Sequence, residues 1–121
     1  MESVVFIDTE MGVDLVVSFA LRAPDAPEEI ESLTLLRTPK YEGLREESER
    51  GVRVFYERLG DEEAERLEEV AYREAECAVW LKTAAHTYAL DVQGVGQDEI
   101  AAMRRVLRTM NRDGRVQMSG I

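Results

Sequence analysis

One stretch of this chain has a helical period while most of its other apolar residues alternate, and that contrast restricts the fold more than any other feature. Ile100, Met103, Leu107 and Met110 recur at spacings of three, four and three, so they form one stripe of a helix expected over about Gln97 to Arg112. Asp98 and Glu99 at its start and Arg108 and Arg112 near its end suit the helix dipole, and Gly114 stands where a C-terminal cap is expected. A lone amphipathic helix has to bury its stripe against something else.

The partner is a sheet. Val13, Leu15, Val17, Phe19 and Leu21 alternate at period two, the clearest strand signal in the chain. Val4 to Ile7 precedes it across the Asp8 to Gly12 connection, which predicts an antiparallel hairpin with Gly12 free to take positive φ. Ala23 to Glu29, with Pro24 and Pro27, reads as a loop, followed by strands at Ile30 to Arg37 and Val52 to Tyr56. Tyr41 to Arg50 reads as a loop or short helical turn. Asp61 to Glu76 predicts a helical start, capped by Asp61, and a strand at Val70 to Arg73.

A second hairpin, Cys77 to Lys82 with Thr87 to Val92, has a register that its side chains dictate, because a one-residue slip inverts every face. Pairing Lys82 with Thr87 sets Leu81 opposite Tyr88, Val79 opposite Leu90 and Cys77 opposite Val92, all on one apolar face. Trp80 is then forced outward beside Ala78 and Ala89. Val116 and Met118 continue as a short final strand. The expected fold is therefore α+β, one domain over 1–121, with an antiparallel sheet of about six or seven strands and the C-terminal helix across one face.

Composition excludes several chemistries. Cys77 and His86 are the only residues of their kinds, so neither a disulfide within the chain nor a cysteine or histidine metal cluster can form, and no metal or other cofactor is expected. No apolar run approaches the ~20 residues that a spanning helix needs. The acidic N-terminus does not resemble a secretory leader, which points to the cytoplasm and away from membranes. A formal charge of −10 argues against nucleic acid. That charge is uneven. Residues 1–94 hold 10 Lys and Arg against 22 Asp and Glu, giving −12, whereas residues 95–121 hold 5 against 3, giving +2.

Motif by motif, the plainer reading prevails. Gly94-Val95-Gly96 sits between strand and helix as in a dinucleotide fingerprint, yet Glu99 occupies the third glycine position, so a turn is expected. Asp8, Glu10 and Asp14 miss the spacing of a calcium loop, and Phe19 stands where a bidentate Glu belongs. Cys77 and His86 fall at opposite ends of the second hairpin, too far apart for a nucleophile and base. Twelve glutamates from Glu42 to Glu76 make any one carboxylate pair uninformative. Arg104, Arg108 and Arg112 share one helix flank and form a candidate contact for an anion or partner.

No catalytic residues are assigned. The preferred reading is a small non-catalytic interaction protein that self-associates as a dimer through Trp80, Ala78 and Ala89. One alternative is an acidic inhibitor or antitoxin-like protein masking a basic partner. A second is a ligand-binding module or enzyme with a carboxylate and tyrosine pocket between sheet and helix.

Overall fold

The alternation of Leu15, Val17, Phe19 and Leu21 carries through in the computed structural model, which describes residues 1–23, 25–59 and 65–121. These residues point inward from β2 (Leu15–Ala23), which pairs antiparallel with β1 (Glu2–Met11) and with β3 (Ala26–Arg37). The first hairpin is thus as expected in sense but longer. Val13 belongs to its turn and is exposed, and Gly12 does not adopt positive φ. The strand expected from Ile30 begins at Ala26, which pairs with Ala23, and the register shifts over residues 27–29 before Ile30 pairs with Arg22. A short helix α1 (Pro39–Glu42) and a 3₁₀ turn at 47–49 lead to β4 (Arg53–Tyr56), antiparallel to β3.

The helical start expected at Asp61 falls on residues that the structure does not describe, and the strand expected beyond it is present. Residues 61–64 lie outside the described residues; Glu65–Arg66 form β5 on β4, and Glu69–Arg73 form β6, as expected for Val70 to Arg73. Only Leu67 and Glu68 separate these strands, with the Leu67 amide bonding the Val52 carbonyl (2.9 Å) and the Glu68 amide that of Lys82 (2.8 Å). One bent segment therefore pairs with β4 at its start and with β7 (Ala78–Lys82) at its end. The second hairpin, β7 with β8 (Thr87–Asp91), has the predicted register, Lys82 opposite Thr87, Leu81 opposite Tyr88 and Val79 opposite Leu90.

Among the described residues the sheet has nine strands in the order β5-β4-β3-β2-β1-β8-β7-β6-β9, with β9 at Gln117–Ser119. The expected six or seven antiparallel strands are corrected on two counts. The sheet is mixed, since β1 pairs parallel with β8 and β9 parallel with β6. Strands as short as β5 and β9 carry no alternation to read, and pairing between distant segments leaves no local pattern. Because β5 and β6 stand far apart in this order but are joined by two residues, the sheet curls round on itself.

Helix α2 (Gln97–Met110) fills the concave side, packing on β1 and β2. Ile100, Met103, Leu107 and Met110 are buried as predicted, and Val106 with them, in one core with the inward residues of β2–β4 and β6–β8. The helix ends at Met110 with Asn111 as its cap, before the expected Arg112. The Asn111 side chain exchanges hydrogen bonds with the backbone of Val116, and Gly114 takes φ +70° in the turn beyond. Arg37 completes the joint between helix and sheet. It is 7% exposed, donates to the Met110 carbonyl at the helix end (2.6 Å), and forms paired bonds to Glu42 and Asp113. These bonds hold the Glu42 and Asp113 carboxyls below their usual range. No helix among the described residues is long and apolar enough to cross a membrane.

Leu107→Ala is expected to cost about 2–5 kcal/mol by opening a cavity against the sheet. Thr109→Ala, on the half-buried flank, should cost no more than about 1 kcal/mol. Urea unfolding curves measure both, and equal losses would place the helix stripe on the wrong side.

Candidate functional site

Two regions gather polar and aromatic side chains at the margins of the core. The first is a cleft of about 940 Å³ beside β4 and β5, where the β7–β8 turn meets the bent segment. Its polar groups come from inward strand positions. Tyr56 and Tyr88 occupy inward rows of β4 and β8, and a buried phenol needs a hydrogen-bond partner for its hydroxyl. Tyr56 Oη donates to Glu2 Oε1 (2.9 Å) and Tyr88 Oη to Glu65 Oε2 (3.1 Å), while the two rings pack edge to face, their centroids 5.6 Å apart.

His86 is placed by its turn. The buried Thr83 accepts at Oγ1 from the Ala85 and His86 amides, and its own amide bonds the His86 carbonyl. The His86 imidazole then meets Glu65, Nδ1 to Oε1 at 2.6 Å. Burial alone would raise the Glu65 pKa, but its hydrogen bonds, led by that to His86, hold it below the usual value. The other ring nitrogen, Nε2, has no partner among the described residues. This arrangement can hold a ligand hydroxyl or amine, or take a proton from one. The sequence held one signal for it: the register of the second hairpin turns Tyr88 inward.

Cys77 takes no part. It lies at the other end of the hairpin, half-buried, with φ 49° and its thiol 3.6 Å from the Glu74 carbonyl. Its expected place within the apolar row of a strand is corrected, because the left-handed backbone there starts β7 one residue later, at Ala78.

The second region is the outer face of β6, β7 and β8. Trp80 stands there half-buried, as its register required, with Ala71 on one side and Ala89 on the other. It lines a groove of about 640 Å³ that reaches β9. The Arg73 guanidinium lies over its ring at 5.6 Å, and its indole nitrogen is buried without a hydrogen-bond partner among the described residues. Ala89 is half-buried. Ala78, placed beside them in sequence, is fully buried within the single chain and has no surface of its own to offer.

The arginine stripe is partly used within the molecule. Arg104 lies over the Tyr72 ring at 5.9 Å, and Arg108 donates to the Ile121 carbonyl (3.2 Å). Arg112 is exposed. Among the described residues, no group of three or more His, Cys, Asp or Glu side chains could hold a metal ion. No known protein family, curated protein or solved structure matches the chain.

Burial, and then the bonded carboxylates, raise the pKa of both Tyr56 and Tyr88. A raised folded-state pKa means that the stability contributed by these phenols is fully present below the ordinary value near 10 and is lost as pH rises through the folded values. Absorbance titration at alkaline pH should show a late-ionising fraction that Tyr56→Phe and Tyr88→Phe each diminish. Loss of that fraction in neither variant would contradict the buried hydrogen bonds.

Proposed function

We propose that the protein is a small non-catalytic interaction protein that self-associates through the outer face carrying Trp80. The observation that supports this reading is the position of the chain's one tryptophan, between two half-buried small residues on a sheet face, while α2 packs against the opposite, concave side. A large aromatic ring with small neighbours is the composition of an interface centre, where truncation costs most. The acidic-inhibitor reading rests on net charge alone.

Trp80→Glu should lower the mass measured by light scattering from dimer to monomer with an unchanged circular dichroism spectrum. Wild-type protein that is already monomeric at tens of micromolar would end the reading.

The cleft supports a second reading, a ligand-binding module, because Tyr56, Glu65 and the His86–Tyr88 stretch converge there from three separate segments. His86 is the single histidine, so its imidazole resonances report on the site without overlap. A library of small polar fragments should contain compounds that shift those resonances. A library that moves none of them while the protein stays folded would remove this reading.

A further inference from the structure

The outer face has a charge pattern that matches a second copy of itself. Val70 and Tyr72 point inward from β6, so Glu69, Ala71 and Arg73 point outward. The registers with β7 and β8 then arrange three rows across the strands. Glu69, Lys82 and Thr87 form one end row, Ala71, Trp80 and Ala89 the middle, and Arg73, Ala78 and Asp91 the other end. Each end row thus holds one charge of each sign, on different strands, with Trp80 at the centre.

Two such faces related by a twofold axis in the interface can meet in two simple ways. If the axis runs along β7, Arg73 faces Asp91 of the other copy, but Lys82 lies over Lys82, which is repulsive, and Glu69 faces only Thr87. If the axis runs across the strands through the Trp80 row, each strand lies over its own copy in the opposite direction, and the end rows exchange. Glu69 then faces Arg73 of the other copy, and Lys82 lies above the β7 position of the buried Ala78, one strand spacing, about 4.8 Å, to the side of Asp91. Glu69 and Arg73 thus meet the opposite sign twice, while Lys82 and Asp91 are offset from one another by one strand. Glu69 and Arg73 lie about 13 Å apart along β6, so the two reciprocal pairs flank the tryptophans on both sides.

We propose that two copies of this chain pack face to face in this second arrangement, with Trp80 against Trp80 on the axis and reciprocal Glu69–Arg73 pairs beside them. The proposal rests on the self-association reading and adds its geometry: an isologous contact in which strands cross their own copies antiparallel.

Glu69, Arg73 and Lys82 are exposed in the single chain, and Asp91 is half-buried with its carboxylate accepting from the Gln93 amide, so none of the four belongs to the apolar core. Sedimentation velocity across a concentration series is the test, with circular dichroism confirming the fold of each variant. Glu69→Arg and Arg73→Glu should each raise the dimer dissociation constant about tenfold or more, because each sets like charges against one another twice. The double variant Glu69→Arg with Arg73→Glu restores both pairs with their signs exchanged and should recover most of the wild-type affinity. If Trp80→Glu separates the dimer but the double exchange gives no recovery, this arrangement is wrong while the face itself stands. Recovery of Arg73→Glu by Asp91→Arg instead would mean that the axis runs along the strands. A monomeric wild type overturns both the face and its geometry.

Discussion

The structure depends on the burial of one helical stripe inside a curved sheet. Met103, Leu107 and Met110 are fully buried, and so are Val17, Phe19, Leu21, Leu33, Leu35, Leu81 and Leu90 from strands on either side of β1. A single helix touches so many strands only if the sheet wraps around it, and the right-handed twist of strands supplies curvature of that kind. The bend at Leu67 and Glu68 completes the wrap by passing one backbone from β4 to β7 without leaving an amide unpaired at the corner. Once the concave side is filled in this way, the convex side and the open ends are what remain for recognition.

Polar groups inside the curl sit at its ends, and β3 displays the reason within one strand. Its inward row runs Glu31, Leu33, Leu35, Arg37, with charge at both ends and leucine between. Arg37 is satisfied by the helix terminus, Glu42 and Asp113. At the other end Glu31 bonds Arg58 and lies 3.5 Å from the Tyr56 hydroxyl. Removing a partner from a buried pair such as Arg37–Glu42 costs about 3–5 kcal/mol, more than its presence contributes relative to an apolar replacement. Such groups therefore act as markers of register. Arg37 fits only when the helix ends beside it, which fixes where α2 stops against the sheet.

The two candidate regions differ in how far the chain itself announced them. Trp80 was legible because the hairpin of β7 and β8 is local and its alternation admits one register, so an inward Leu81 and Tyr88 required an outward Trp80. The cleft was not. Glu2, Tyr56, Glu65 and His86 lie in four different segments, and a glutamate within a run of glutamates looks the same whether it is solvated or bonded to a histidine. The start of β7 at Ala78 was also hidden, because the backbone at Cys77 is left-handed and cysteine is a residue type that does not advertise positive φ.

Local periodicity determined the amphipathic C-terminal helix, the antiparallel sense of both hairpins and the outward tryptophan, since each depends on side chains a few residues apart. Tertiary structure alone decided the parallel contact of β1 with β8, the addition of β9 to β6, the conversion of Glu65 to Arg73 into a bent strand, and the meeting of His86 with Glu65. The physical reason is that these features join segments distant in the chain, where backbone hydrogen bonds carry no sequence and the gain comes from closing one core around α2.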